Sequence, residues 1–388
     1  MNFMNGIRVG GEGNGSGAYG FGRRQMRRAI FLWLKYVVVW VEVSKTGSNW
    51  DNPSIAGAAD GATHASDPSI FNSATGGFSG IDPQSTTQRF YAIITGFTDA
   101  TRDGFYLIQR VITDNQVLID VPYCGVHTDG LPLSETGLTW SVHELKSNAL
   151  LPGVGDEYYL RGTGIGGSFQ MHCLSDNVIS WSQDKFRVSP DDGSNWTAYT
   201  AGENEAQQDS GLVFGVADMT HAYFFVRYYD EDMLAGSWYP STYYFGDITA
   251  FRPAVDTNPV VCFAERTDSN WSIWSSLIAG PIKSLTAGNI QIDHTCLYPS
   301  IHGNDGNALL GGIRKVRSYY SGRFVRRPII VVSNDNSYPE VRGYLKSVDA
   351  THFYGDRVGT PFGTGRDRLK LVGGSIPWNG SKQYYYIF

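Results

Sequence analysis

Short apolar runs alternate with turn-forming residues along most of the chain. The clearest example lies between residues 89 and 120, where RFYAIIT, FYLIQRVI and QVLID have the character of three strands. Asp103-Gly104 and Asp114-Asn115 separate these strands, and such pairs favour the tight turns of β-hairpins. The pattern predicts a three-stranded meander. The stretch WSVH (140–143) indicates that it continues into a small barrel or sandwich ending near residue 148.

Aromatic residues mark the strands predicted for the next part of the chain. NVISWS (177–182), AYFFVRYY (222–229), STYYFGDI (241–248) and PVVCF (259–263) are short and are separated by turn signals. This arrangement is typical of a β-sandwich. Further along, RPIIVVS and VRGYLKSV predict additional strands. We therefore expect a mainly β protein.

These patterns divide the chain into five segments: a glycine-rich arm with an apolar segment, a small β domain, a linker, a β-sandwich domain and a basic C-terminal β region. Their predicted bounds are 1–43, 44–148, 149–156, 157–312 and 313–388, in that order. The glycine-rich arm, residues 1–22, cannot form a core alone. We expect it to be flexible unless a neighbour orders it.

One apolar run imitates an export signal. AIFLWLKYVVVWVEV (29–43) follows four arginines, as the apolar part of a signal peptide follows a basic start. Lys35 interrupts the run, which is shorter than the roughly 20 residues that cross a bilayer. No small-residue cleavage site follows it. We therefore predict a buried strand, or a short helix leading into one, and no membrane span.

Composition supports the β prediction. Aromatic residues make up 14% of the chain and charged residues only 18%, against roughly 25% charged residues in average soluble domains. Much aromatic surface must therefore be buried. The cysteines, Cys124, Cys173, Cys262 and Cys296, stand far apart without a CxxC pair, so we expect buried thiols and not a disulfide framework.

Charge is distributed unevenly along the chain. Residues 1–45 carry a net charge of +5, residues 46–312 carry −19 and residues 313–388 carry +8. Basic ends and an acidic middle indicate that the ends contact a negative surface. We expect that surface to be the acidic middle of a neighbouring copy and not nucleic acid, because the basic residues form no recognisable nucleic-acid module.

Two groups of residues are candidates for that contact. The first is the arginine cluster before the apolar run, and the second is the terminal YYYIF, which is too apolar to be left in water. The candidate interface residues are Arg23, Arg24, Arg27, Arg28, Tyr384, Tyr385, Tyr386, Ile387 and Phe388.

Two stretches match the GxGxxG pattern of dinucleotide-binding loops, Gly15–Gly20 and Gly162–Gly167. Such a site needs a strand before the motif and a helix after it, because the phosphate lies at the helix N-terminus. Neither stretch has this setting. Both are therefore predicted to be loops or bulges, and we expect no cofactor.

Possible metal ligands occur only in isolated groups, whereas a structural zinc site needs two pairs that the fold brings together. Acidic residues beside turns could bind calcium but are ordinarily solvated. The candidates are Cys124 with His127, His172 with Cys173, His294 with Cys296, Asp191-Asp192 and Asp230-Glu231-Asp232. We expect no bound metal.

The sequence contains no GxSxG, HExxH or P-loop motif. A glycosidase remains an open alternative, because its two carboxylates meet only in the folded chain. Aromatic side chains of β proteins also stack on sugar rings, although packing in the core and at interfaces is the simpler role. We therefore predict that the chain is not an enzyme.

The segment ITGFTDATRDGFYLIQRVITDNQVLID (94–120) resembles a small β module of tailed-bacteriophage virion proteins. In that module a Gly-Phe-Thr-Asp stretch and a later Asp-Gly turn separate strands that end in an alternating Val-Leu-Ile edge. The glycine-rich start, YYFGDITAF (243–251) and the region from RGYLKSV to GGSIPWNG (342–380) are similar in character to the same proteins.

This resemblance implies a structural subunit of the virion, in its neck, tail or baseplate. Its partners would be copies of itself, in a homo-oligomeric ring or sleeve, and other virion proteins. The contacts of such a ring are heterologous, as when a basic end meets the acidic middle of the next copy. The alternatives are a receptor- or glycan-binding fibre or decoration protein that binds a host surface glycan, and a polysaccharide depolymerase.

Overall fold

The computed structural model describes residues 2–10, 21–85, 88–120, 130–146, 150–175, 185–194, 196, 210–229, 239–251 and 259–266, together with short strands between residues 276 and 345. The chain is mainly β, as predicted. One α-helix, α1 (Phe21–Leu32), continues into a π-helical turn, Trp33–Val37, and 3-10 turns occur at Phe78–Gly80 and Ala100–Arg102. The strands are β1 Asn2–Gly10, β2 Val41–Lys45, β3 Gly61–Thr63, β4 Ile70–Ser73, β5 Phe90–Thr95, β6 Gly104–Thr113, β7 Gln116–Asp120, β8 Thr136–Glu144, β9 Glu157–Gly164, β10 Gly167–Leu174, β11 Lys185–Ser189, β12 Ser210–Ala217, β13 His221–Tyr229, β14 Tyr239–Ala250, β15 Val260–Arg266, β16 Ser276–Ile278, β17 Ile282–Lys283, β18 Gln291–Ile292, β19 His294–Leu297, β20 Ile330–Ser333 and β21 Val341–Leu345.

Six of these strands close into an antiparallel barrel, in the order β3-β4-β7-β6-β5-β8. The meander predicted over residues 89–120 forms β5, β6 and β7, and β8 pairs with both β5 and β3 to complete the barrel. Trp140 of β8 packs in the barrel core against Phe71 and Phe78. The predicted small β-barrel is therefore confirmed.

Strand β5 is buried on both faces. Phe90, Ala92 and Ile94 belong to the barrel core, whereas Tyr91 and Ile93 belong to the core of the rest of the molecule. Successive side chains of a strand point to opposite faces, so a strand that serves two cores has no polar side. This explains why apolar and polar residues do not alternate in FYAIIT. Strand β5 lies between the two cores and contributes side chains to both.

The other strands form a sandwich of a large and a small sheet. The large sheet has the order β1-β12-β13-β14-β21-β20-β19, with β15 paired to β14 and β16 paired to β15. The small sheet has the order β11-β10-β9-β2. Phe186 of the small sheet lies 5.5 Å from Tyr243 and 5.0 Å from Phe245 of the large sheet, measured between ring centroids. The two sheets therefore bury a common core. Strands β17 and β18 pair separately.

Helix α1 packs into this core. Phe31 and Trp33 are fully buried, and the Trp33 ring lies 5.4 Å from that of Phe224. The apolar run 29–43 thus forms the end of α1, the π-helical turn and the start of β2, which agrees with a short helix leading into a strand. No helix in the described part of the chain is long and apolar enough to cross a membrane.

Strand pairing links segments that the sequence pattern had separated. β1 pairs with β12, β2 with β9, and β21 with β14. Residues 2–10 of the glycine-rich arm are therefore part of the large sheet, while residues 11–20 lie outside the described residues. The predicted strand 177–182 also lies outside them. The arm, the sandwich and part of the basic C-terminal region contribute to the same sheet.

Candidate functional site

Four exposed apolar side chains lie within eight residues where the helical segment gives way to β2. Tyr36, Val39, Val41 and Val43 are 37%, 64%, 54% and 40% exposed. We call these four residues the apolar strip. Single exposed apolar residues are ordinary, but a group of them marks an interaction surface. The apolar strip is therefore a candidate site for contact with another molecule.

Strand β2 lies at the edge of the small sheet. It pairs with β9, and no other described strand pairs with its second edge. Its pairing with β9 is irregular between Glu42 and Ser44, which leaves Val43 as a bulge. Edge strands can add a strand from another chain, and bulges limit such pairing. A partner at this edge would therefore be held more by the valine side chains than by a long hydrogen-bonded ladder.

The backbone at Val39 is strained. Its φ of 69° lies in the left-handed region, which β-branched residues rarely adopt. Such a conformation costs on the order of 1–3 kcal/mol and often occurs at functional positions. The strain directs an exposed valine outward just before the edge strand.

Four charged side chains support the apolar strip. Lys35 Nζ lies 2.6 Å from Glu42 Oε2 and 2.8 Å from Asp51 Oδ2, and Lys45 Nζ lies 2.6 Å from the same Asp51 oxygen. Burial alone would lower the pKa of Lys35, but its hydrogen bonds to Asp51 and Glu42 raise it. Burial would likewise raise the pKa of Asp51, but bonds from both lysines lower it. Lys35 and Asp51 are therefore charged at neutral pH, and the ion pairs fix β2 against the helical segment.

The structure corrects the expected position of two arginines. Arg27 and Arg28 have 0% exposure, because α1 packs into the core. Arg28 donates hydrogen bonds to the carbonyl oxygens of Glu144 at 2.6 Å and Asn52 at 2.9 Å, and burial lowers its pKa to about 10. These two side chains therefore contact the chain's own interior and are not at an accessible interface.

The other interface candidates have different positions. Arg24 is partly buried and donates to the Pro152 carbonyl oxygen at 3.3 Å, and Arg23 lies in the first turn of α1. Residues 384–388 lie outside the described residues. Arg27 and Arg28 are thus buried, and Lys35 and Lys45 are paired. At least four of the seven positive charges before position 46 are therefore not free to attract a partner.

A second polar cluster lies on the outer face of the small sheet. His172 Nε2 lies 2.9 Å from Glu157 Oε2, and Arg187 Nε donates to His172 Nδ1 at 2.8 Å. The Tyr159 ring stacks on His172 at 4.2 Å between centroids. Arg187 lies over the ring of Trp196 at 4.7 Å. These groups satisfy one another, so the cluster braces the sheet.

The imidazole of this cluster is neutral. Burial and the Arg187 charge together lower the pKa of His172 to about 4, against the opposing effect of Glu157. Because Arg187 donates to Nδ1, the proton of the neutral ring lies on Nε2 and is donated to Glu157. Both ring nitrogens of His172 are hydrogen-bonded to neighbouring side chains. A neutral histidine held in this way is poorly placed to transfer protons to a ligand.

An open groove of about 510 Å³ lies on the barrel, lined in part by Asp60, Asn72, Thr113, Asn115 and Gln116. Asn72 of β4 and Gln116 of β7 are directly paired, and Gln116 Nε2 donates to Asn72 Oδ1 at 2.8 Å. The Asn115 amide donates to the carbonyl oxygens of Ser73 and Ala74 at 2.8 and 3.0 Å. Apart from Asp60, the polar groups of the groove are therefore neutral amides and hydroxyls, and the strand pairing fixes Asn72 and Gln116 in place. Most of the exposed lining is apolar, and it includes Ala62 and Ala74.

Asp60 is the one charged residue lining this groove. Its carboxylate accepts hydrogen bonds from Thr75 Oγ1 at 2.5 Å, Trp140 Nε1 at 2.8 Å and Ser73 Oγ at 3.1 Å. These bonds lower the pKa of Asp60 to about 2. The groove therefore has a permanent negative charge, which is already engaged by groups of the barrel.

The structure also shows the conformation of several motifs that were considered in the sequence. Gly162–Gly167 forms the end of β9, a turn and the start of β10, so it is a β-hairpin and not a phosphate loop. His172 and Cys173 point to opposite faces of β10, and Cys173 and Cys262 are buried free thiols. Asp192 forms an ion pair with Arg161 at 2.7 Å. The described residues hold no group of three metal ligands.

The side chains of the other candidate ligands lie outside the described part of the chain. His294 and Cys296 lie on β19, of which only the backbone pairing is described. The remaining motifs lie outside the described residues: Gly15–Gly20, Cys124 with His127, and Asp230-Glu231-Asp232.

Sequence reasoning missed the groove. Asn72 and Gln116 are separated by 44 positions, and each alone is an unremarkable polar residue near a turn. Only the pairing of β4 with β7 brings their amides together. A comparison of the chain with protein-family models, with curated proteins and with solved structures finds no match.

Proposed function

We propose that this chain is a structural subunit of a tailed-bacteriophage particle, which assembles as a homo-oligomeric ring or sleeve in the neck, tail or baseplate. The observation that carries the assembly part of the proposal is the apolar strip on the edge strand β2. The virion part rests on the resemblance of residues 94–120, which form the β5–β7 wall of the barrel. The role requires no catalytic residue.

The occupant we assign to the apolar strip is a second copy of the chain. The strip exposes three valines within five residues, and a repeated contact of this kind builds a ring when the rotation between copies closes. Its neighbours Lys35, Glu42, Lys45 and Asp51 are mutually paired. Because these charged side chains already pair with one another, a second copy can cover the apolar strip without burying an unpaired ion.

The first test is the mass of the intact chain in solution, by light scattering, for the wild type and for the double variant Val41→Glu/Val43→Glu. The wild type should give a discrete multiple of 42.8 kDa, and the double variant should give a monomer, because two buried carboxylates per contact oppose association. Leu133→Glu, at a 50% exposed leucine of the barrel, is the matched control and should keep the oligomer.

A monomeric wild type at every concentration would contradict the proposal. Electron microscopy of the oligomer then tests the virion part, since a ring or sleeve with an axial opening is expected. Deletion of the N-terminal residues is unsuitable for this purpose, because β1 and α1 contribute buried residues to the core. The glycan-binding alternative is favoured by a different observation, the paired amides of Asn72 and Gln116 in the groove of the barrel.

A further inference from the structure

We propose that the barrel groove between Asn72 and Gln116 is a binding site for a neutral, hydroxyl-rich ligand, that is, an uncharged saccharide. The site lies in the barrel, away from the apolar strip, and does not depend on assembly. It would give a structural subunit a second capacity, that of contacting a glycan.

The first step is the pairing of the two amides. Gln116 Nε2 donates to Asn72 Oδ1 at 2.8 Å, and no other hydrogen bond of these two side chains occurs within the described residues. The arrangement leaves the Asn72 Nδ2 hydrogens and the Gln116 Oε1 oxygen available on two amides that are already in contact. Neighbouring hydroxyls of a sugar match this pair, because one hydroxyl can accept from Asn72 while the next donates to Gln116.

The second step is the rigidity of the site. Asn72 and Gln116 occupy paired positions of β4 and β7 in a closed barrel, and Asn115 is tied to the backbone of Ser73 and Ala74. Groups that are already fixed lose little conformational freedom when a ligand binds. The groove volume of about 510 Å³ lies within the roughly 300–1,000 Å³ of small-molecule sites.

The third step concerns charge. The carboxylate of Asp60 accepts hydrogen bonds from Thr75, Trp140 and Ser73. It therefore holds these side chains in place and is not available to bind a ligand. It nevertheless keeps a negative charge there, and the lining residues include no lysine or arginine. An anionic ligand such as a phosphate or a uronic acid is therefore disfavoured relative to a neutral sugar.

The experiment is a titration of the full chain with chitobiose, lactose, maltose and glucuronic acid, followed by ligand-observed NMR. We expect at least one neutral disaccharide to bind with a dissociation constant on the order of 1 mM, and glucuronic acid to bind more weakly. Asn72→Ala and Gln116→Ala should each weaken binding about five- to tenfold, the effect of losing one hydrogen-bonding partner.

Gln109→Ala is the matched control, since Gln109 is an exposed amide of β6 that does not line the groove; it should leave binding unchanged. Near-ultraviolet circular dichroism checks that each variant keeps the barrel. Three results would overturn the proposal: no neutral saccharide binds at tens of millimolar, the groove variants bind as well as the wild type, or glucuronic acid binds as tightly as the neutral sugars.

Discussion

The barrel and the sandwich of this chain are assembled from the sequence in different ways. The barrel takes its six strands from one continuous stretch, Gly61 to Glu144, with three hairpins between consecutive strands. The sandwich joins β1 to β12, β2 to β9 and β14 to β21. The barrel core is an apolar cluster, whereas the sandwich core also takes in α1, which carries the buried Arg27 and Arg28. Glu144 and Lys146, at and just after the end of barrel strand β8, are buried as well, so buried charge lies where α1 meets the barrel and demands specific partners there.

This difference predicts where the molecule is most vulnerable. Arg28 of α1 donates to carbonyl oxygens at the end of the barrel, those of Glu144 and Asn52, so it joins the two regions. Arg28→Met keeps the volume but leaves the buried Glu144 carbonyl and the partly buried Asn52 carbonyl without this donor. We expect a loss of about 3 kcal/mol in the free energy of unfolding, measured by urea denaturation with tryptophan fluorescence.

The control for this prediction is Arg24→Met, because Arg24 is only partly buried and its bond to the Pro152 carbonyl oxygen is long, at 3.3 Å. It should lose less than half as much stability as Arg28→Met. Equal midpoints for Arg28→Met and the wild type would show that the contact between α1 and the barrel contributes nothing.

Acid should weaken both regions through one histidine each. Burial lowers the pKa of His143, on the barrel, to about 3 and that of His172, in the sandwich, to about 4. Between pH 6.5 and these values the unfolded chain binds protons that the folded chain does not, so stability falls as the pH falls. By pH 4 the loss from each group reaches up to about 3 kcal/mol.

Urea denaturation at pH 7.5, 5.5 and 4.5 measures this effect. His143→Gln and His172→Gln should each flatten the decline in stability between these pH values, even if each lowers stability at pH 7.5. An unchanged pH dependence in both variants would contradict the assignment of acid sensitivity to these residues.

The same contrast explains how far the sequence alone could predict the structure. Strands β5, β6 and β7 were predicted almost to the residue, because their turns and apolar runs are local. The pairing of β2 with β9 joins stretches more than 100 positions apart, and no local pattern contains it. Arg27 and Arg28 follow an arm of glycines and suggest a basic surface, but the enclosure of α1 places them inside.

The candidate sites were predicted less well than the fold. Of the two interpretations of the apolar run 29–43, the short helix leading into a strand is confirmed and the continuous buried strand is wrong. The last valines of the run are exposed and not buried. The reason is that β2 lies at a sheet edge, a property of strand order that no single segment encodes. The groove was missed because its two amides meet only through barrel closure.

A substitution in the apolar strip is expected to have a smaller effect on the free energy of unfolding. Val39→Gly should relieve the left-handed backbone at φ 69°, and the gain of about 1–2 kcal/mol from relief is partly offset by the greater freedom of glycine in the unfolded chain. We expect a net stabilisation below about 1 kcal/mol, measured by urea denaturation. Val41→Gly, in the extended strand β2, is the control and should destabilise. A destabilised Val39→Gly would show that the valine side chain itself contributes to packing.

The smallest expected effect lies in the barrel, at Asp103. Burial, with a smaller contribution from the charges of Asp99 and Glu135, raises the pKa of Asp103 to about 6 against the hydrogen bonds from Phe97 and Gly96. The folded chain therefore holds a proton that the unfolded chain releases from pH 3.8 upward. The stability that this provides is present below pH 3.8 and is lost as the pH rises through 6.

Asp103→Asn should consequently stabilise the chain at pH 8 and have little effect at pH 4, because the amide oxygen can still accept from both backbone N–H groups. Since the side chain is partly exposed, we expect less than about 1 kcal/mol. Asp67→Asn is the control of opposite sign, because hydrogen bonds from Ser69 lower the pKa of Asp67, and it should destabilise at pH 8. A loss of stability in Asp103→Asn at pH 8 would mean that the carboxylate's hydrogen bonds to Gly96 and Phe97 outweigh its burial, and that the barrel, like the sandwich, stabilises a buried charge through specific partners.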